Sequence, residues 1–229
     1  MKQISILGDS ISTFAGVNPQ GYSVYYDKDL QLRNGLNSVD DTWWAKVIHR
    51  MQGRLCVNDS YSGSRVTGEG FPAGASEKRI RNLRTEQHDP DIILIFMGLN
   101  DFAGGVELIS SLDDFGFEDS YDFMLKTVKT IYPSADIVCG TLMRTVLRGR
   151  SVWQFPEYSA GAGFEQYNNS IRWVTQENQC YLADLCREDA RYETLDGFHP
   201  TARGHAAIAG RWIECLGELG FLPPSPGLT

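Results

Sequence analysis

The run Ile92-Ile93-Leu94-Ile95-Phe96-Met97 is apolar without alternation, and it constrains the fold more than any other stretch of the chain. A strand with one face in water alternates. One that is apolar on both faces must be covered on both, as in a parallel sheet flanked by helices. This strand, read over 91–97, has companions in the shorter apolar segments at 3–7, 54–58, 136–142 and 179–184. Between and after them, 41–51, 75–86, 120–132, 164–177 and 201–219 read as helices. The last carries Ala206, Ala207, Ile208, Trp212, Ile213 and Leu216 on one stripe, and Gly220 and Pro223 close it. Regular alternation of strand and helix predicts a three-layer α/β/α sandwich around a mostly parallel five-stranded sheet with flavodoxin-like winding. The expected organisation is a single domain over 1–222 and a C-terminal tail at 223–229.

Composition narrows the function. Apolar residues make up 42% of the 229 and charged ones 22%, which suits a folded globular chain. A formal net charge of -8 with no basic run argues against nucleic acid as a partner, since phosphate binding needs a concentrated cationic surface. No apolar stretch approaches the roughly 20 residues of a membrane span. Strand-like residues begin so soon after Met1 that a secretory leader has no room, which makes the cytoplasm the expected location. Cys56, Cys139, Cys180, Cys186 and Cys215 are odd in number and contain no CxxC pair, so reduced thiols are expected rather than a disulfide framework or a zinc knuckle.

Two connections are longer than a compact strand-to-helix loop requires. Residues 12–40 include Tyr22, Tyr25 and Tyr26, and residues 144–161 include Trp153, Phe155 and Tyr158 among Arg144, Arg148 and Arg150. Both leave the carboxyl ends of expected strands, where open α/β sheets bind their ligands. The six aromatics are therefore candidate substrate contacts.

Four short blocks share that edge. Gly8-Asp9-Ser10 ends the first strand and would present the Ser10 hydroxyl there, although a serine in a turn often only caps it. Asp196-Gly197-Phe198-His199-Pro200 sets a carboxylate three residues before an imidazole, a spacing that can seat Asp196 on Nδ1 and leave Nε2 for a hydroxyl. The alternative is that His199 merely caps the last helix. Asn100, in Gly98-Leu99-Asn100-Asp101, follows the most apolar strand and offers a neutral amide donor suited to an oxyanion; an ordinary Asn-Asp turn would look the same. Gly63, in Ser62-Gly63-Ser64, permits close backbone approach. The segment Gly68 to Ala73 matches a relaxed dinucleotide-site pattern, but it contains Pro72 and does not turn from the first strand into a helix.

Taken in order, Gly8-Asp9-Ser10, Gly63, Gly98-Leu99-Asn100-Asp101 and Asp196-Gly197-Phe198-His199 resemble the sequence blocks of the SGNH hydrolases, the GDSL-type esterases and lipases. The resemblance implies Ser10 as nucleophile and His199 as general base oriented by Asp196. It also implies an oxyanion hole formed by the Ser10 and Gly63 N–H groups and the Asn100 amide. Asp9 and Asp101 are expected to hold turns rather than react. No metal or cofactor is required by such a mechanism. The expected substrate is a small-molecule or glycan ester carrying a short acyl group, acetyl foremost, on a carbohydrate or other polar alcohol. A lipid esterase or thioesterase remains open, as do a phosphoesterase holding a metal with Asp9, Asp59, Asp101, Asp196 and His199 and a noncatalytic carbohydrate-binding protein.

Overall fold

The computed structural model describes residues 1–111, 115–150, 162–187 and 190–224. In chain order its elements are β1 (Gln3–Gly8), α1 (Lys28–Asn34), α2 (Trp43–Arg50), β2 (Arg54–Ser60), α3 (Glu77–Ile80), β3 (Ile92–Phe96), α4 (Leu99–Ala103) and α5 (Phe117–Ile131). There follow β4 (Asp136–Gly140), β5 (Arg144–Leu147), α6 (Phe164–Glu177), β6 (Tyr181–Ala183), β7 (Arg191–Thr194) and α7 (Ala202–Glu218).

Five parallel strands form the main sheet in the order β2-β1-β3-β4-β6. With β5 set aside, this is the 2-1-3-4-5 winding of flavodoxin-like sheets, whose ligand crevice lies where the strand order reverses, between the first and third strands. Every residue of β3 is buried, as its uninterrupted apolar run requires. On the helical layers α2 packs against α7, and α5 against α3 and α6. Trp43 of α2 and Trp212 of α7 stack at 5.3 Å between ring centroids, and a Cβ at Gly140 would lie 2.5 Å from the Trp212 ring. That close approach explains the glycine at the end of β4. No helix among the described residues is long and apolar enough to cross a membrane.

Three expectations from sequence are corrected. The helix anticipated over 75–86 shrinks to Glu77–Ile80, because Thr85 and His88 close a turn on each other soon after it and Arg79 leaves the helix surface for the interior. The stretch 12–40 contains α1, capped by the Asp27 side chain on Leu30 N–H and ended by left-handed Gly35. The start of the second long connection is a strand: β5 pairs in parallel with β7 as a separate two-stranded sheet. The β7 sequence Arg-Tyr-Glu-Thr alternates exposed Arg191, buried Tyr192, half-buried Glu193 and buried Thr194. Four residues of period-two patterning between polar neighbours are too few to distinguish from a loop.

Candidate active site

The turn that bears Ser10 is built at the end of β1. Asp9 caps a single 3-10 turn, Ser10–Ser12, by accepting from Ile11 N–H at 3.0 Å. Ser12 fixes the turn from below: its hydroxyl accepts from the Trp43 indole at 3.0 Å, and its carbonyl accepts from the Trp44 indole at 3.0 Å and from Asn58 Nδ2 at 2.8 Å. Gly8 is required by space, since a Cβ there would lie 2.6 Å from Ser60 Oγ and 2.7 Å from Ser12 Oγ. Burial pushes the Asp9 carboxyl up to about 6, against the Ile11 N–H and the nearby His199 and Arg79, which favour its charged form.

The opposing turn is carried by the small sheet. β5 steadies β7, and Thr194 at the end of β7 accepts from Gly197 N–H through its hydroxyl at 3.1 Å, while Gly197 takes φ 96°. Asp196 Oδ1 then accepts from Phe198 N–H and His199 N–H at 2.9 and 2.8 Å. Its other oxygen, Oδ2, lies 2.7 Å from His199 Nδ1, and His199 Nε2 lies 3.0 Å from Ser10 Oγ. Partial burial disfavours the Asp196 charge, but the hydrogen bonds from His199 and the two backbone N–H groups outweigh it and hold this carboxyl well below the usual range. Ser10 is only 6% exposed, whereas the His199 side chain is 20% exposed, so the pair opens to solvent on the imidazole side.

Gly63 and Asn100 lie on the third wall. Tyr61 N–H donates to the Gly8 carbonyl at 3.2 Å, which ties the following Ser62-Gly63-Ser64 turn to the end of β1. Gly63 has φ 78°, a left-handed conformation that favours glycine, and the residue is exposed between half-buried Ser62 and buried Ser64. Asn100 Nδ2 donates to the Ser64 carbonyl at 2.9 Å, and since an amide carries two hydrogens, one remains for a ligand. Asp101 holds the far side of the same loop, accepting from Val66 N–H, Thr67 N–H and the Thr67 hydroxyl at 2.8, 3.0 and 2.8 Å. Asp9 and Asp101 thus occupy the turn-holding places anticipated for them.

Arg79 was not singled out by sequence, yet it joins these walls. Its fully buried guanidinium donates to the carbonyls of Gly8, Asp59 and Pro72 and to the Ser64 hydroxyl, and its Nε lies 3.5 Å from Asp59 Oδ2. Burial pushes the Asp59 carboxyl up to about 6 despite that arginine. An arginine in a short polar helix carries no sequence signal that it turns inward.

The aromatic candidates separate. Tyr25 lies against the imidazole: its hydroxyl donates to Asp196 Oδ2 at 2.9 Å and its ring stacks on His199. Tyr26 is corrected as a substrate contact, being fully buried with its hydroxyl donating to the Pro200 carbonyl at 2.7 Å. Tyr22 is half-buried, packs its ring against Tyr61 and Phe71, and accepts from Asn82 Nδ2 at 2.9 Å. That cluster borders the Gly63 turn, and Tyr61 and Phe71 were not foreseen. Trp153, Phe155 and Tyr158 lie outside the described residues. The five groups weighed as metal ligands do not converge: Asp59 faces Arg79, Asp101 is satisfied by the Val66–Thr67 backbone, and Asp196 by its own turn. Among the described residues, no three His, Cys, Asp or Glu side chains are grouped to hold a metal ion.

Residues 2–149 match the family model described as GDSL-like lipase/acylhydrolase. A multidomain esterase of Ruminococcus flavefaciens is 27% identical over 248 aligned residues, covering 98% of this chain; the chain spans only 29% of that relative's length. Among solved structures, a Bacteroides ovatus protein described as a GDSL-like lipase superposes with a TM-score of 0.72 at 27% identity, over 95% of this chain and 99% of its own. A Bacteroides uniformis protein of the same description gives 0.72 at 28%, over 95% and 96%. A family two carbohydrate esterase of Clostridium thermocellum, solved with cellohexaose, shares the fold with a TM-score of 0.59 at 17% identity, over 96% of this chain and 65% of its own.

Proposed function

The chain belongs to the GDSL-like lipase/acylhydrolase family, an ester-hydrolase family, and from that premise we propose a serine mechanism passing through an acyl-enzyme. The observation that carries the reading is the continuous contact from Asp196 Oδ2 to His199 Nδ1 at 2.7 Å and from His199 Nε2 to Ser10 Oγ at 3.0 Å. Ser10 Oγ attacks the ester carbonyl as His199 Nε2 takes its proton, and Asp196 stabilises the imidazolium. The oxyanion of the tetrahedral intermediate is received by the N–H groups of Ser10 and Gly63 and by the free hydrogen of the Asn100 amide. On collapse, His199 returns the proton to the leaving alcohol. Water then repeats the sequence on the acyl-serine and releases the acid.

The substrate we propose is a short acyl ester, acetyl foremost, of a carbohydrate or similarly polar alcohol. Supporting it, aromatic faces beside polar edges suit a ring with apolar faces and hydroxyl rims, and Tyr22, Tyr61 and Phe71 form such a cluster beside Gly63. The test compares acetylated saccharides with acyl esters of increasing chain length, in wild type and in Trp153→Ala. Preference for acetyl, weakened by Trp153→Ala, supports the proposal. Preference for long chains, or a variant indistinguishable from wild type on acetylated sugars, puts a lipid esterase ahead.

A further inference from the structure

Tyr25 touches the His199–Asp196 pair in two ways at once. Its ring lies parallel to the imidazole, with centroids 3.4 Å apart and 9° between planes. Its hydroxyl donates to Asp196 Oδ2 at 2.9 Å, the same oxygen that accepts from His199 Nδ1. Asp196 therefore receives four donors, two on each oxygen. Burial and the hydrogen bond to Asp196 raise the Tyr25 phenol well above its ordinary value, so it stays a donor.

The backbone of Tyr25 is tied to the nucleophile turn. Thr13 Oγ1 donates to the Ser10 carbonyl at 2.8 Å and accepts from Tyr25 N–H at 3.0 Å. The path runs from the Ser10 carbonyl through Thr13 to Tyr25, then through Asp196 and His199 back to Ser10 Oγ, and closes a ring of hydrogen bonds. Tyr26, edge-on to Tyr25 at 4.9 Å, anchors the assembly to Pro200.

Resting on the serine mechanism above, we propose that Tyr25 is a positioning residue that holds the His199 imidazole against Ser10 and sets its basicity, rather than a substrate contact. The two contacts act in opposite directions. The hydroxyl bond draws charge from Asp196 and weakens its support of the imidazolium, which lowers the affinity of His199 for a proton. The aromatic face favours the imidazolium and raises it. The other ionisable groups facing the pair are Asp9 on the nucleophile turn, with Arg79 behind it, His205 on α7, and the buried Tyr26 and Tyr192.

Tyr25→Phe keeps the ring and removes the hydroxyl, whereas Tyr25→Leu removes both. So that the buried Asp9 carboxyl, pushed up to about 6, is not mistaken for it, His199 is followed directly through its ring nitrogens by 15N NMR, in the wild-type and Asp9→Asn backgrounds. The expected result is a His199 pKa higher by roughly half to one unit in Tyr25→Phe in both backgrounds, with the acid limb of kcat/KM moving by the same amount. Tyr25→Leu should show a smaller rise and a pH-independent loss of about tenfold in kcat at unchanged KM. An unshifted or lowered pKa in Tyr25→Phe, or a raised KM at constant kcat in either variant, would overturn the proposal. The NMR readout needs no turnover, so a failure of the esterase reading would appear separately, as a wild-type protein inert toward every ester.

Discussion

Asn100 Nδ2 donates to the Ser64 carbonyl at 2.9 Å, so the side chain proposed as an oxyanion donor also latches the loop carrying Gly63. Replacing Asn100 by Ala removes one proposed donor and loosens the Gly63 N–H by way of that loop. The expected effect is a kcat reduced by ~10² to 10³ with a smaller change in KM, measured by steady-state kinetics. A change confined to KM would place Asn100 on the ground-state substrate.

In the proposed mechanism His199 transfers the proton, and its partly exposed side chain contributes little to the core. His199→Ala should abolish most ester turnover while leaving the thermal unfolding midpoint within a few degrees of wild type. Asp196→Asn should do less damage, because Asn still accepts at Oδ1 from the Phe198 and His199 N–H groups while losing the charge that supports the imidazolium.

Arg79 presents the opposite case, a residue remote from the chemistry whose loss is felt in stability. Arg79→Met leaves the buried carbonyls of Gly8 and Asp59 and the half-buried one of Pro72 without this donor, and Asp59 without its cation. Removing one partner of a buried ion pair costs about 3 to 5 kcal/mol, readable from urea denaturation. Adding Asp59→Asn should recover part of it, and a single variant as stable as wild type would refute this stabilising role of Arg79.

His205 supplies a pH prediction. Its Nδ1 accepts from Trp43 N–H at 3.2 Å and so must be unprotonated, and complete burial lowers its pKa from 6.5 to about 3. Between those values the unfolded chain binds the extra proton, so this group's contribution falls as pH drops below about 6.5, by up to about 1.4 kcal/mol per pH unit. The buried carboxyls Asp9 and Asp59, raised to about 6, act in the opposite sense, because over pH 3.8 to 6 the folded state holds the extra proton. The measurement is therefore a difference: stability of wild type minus that of His205→Gln, followed from pH 7 to 4, should decrease steadily. A flat difference would contradict it.

The sheet, and the candidate side chains Ser10, Asp196 and His199 that the fold brings together, were legible in the sequence because their signals are local. A both-faces-apolar strand announces its burial, and Asp196 and His199 stand three residues apart. What was not legible depends on where side chains go after the chain folds. The pattern of β7 is four residues long, yet that strand carries the turn bearing Asp196 and His199. Tyr25 and Tyr26 are adjacent and identical in type; one stacks on the imidazole and the other is sealed inside, which only the third dimension decides. Arg79 sits in a helix of four residues, and its inward course is set by carbonyls contributed from β1, β2 and the Pro72 loop.

The proposed serine mechanism requires that Ser10 form the covalent acyl intermediate with His199 as its base. Its most direct test is labelling of the folded protein with an organophosphonate serine reagent, with the adduct located by peptide mass spectrometry in wild type, His199→Ala and Ser10→Ala. The expected result is a single adduct on Ser10, much slower labelling in His199→Ala and none in Ser10→Ala. An adduct on another serine, or ester turnover retained by folded Ser10→Ala, would contradict it.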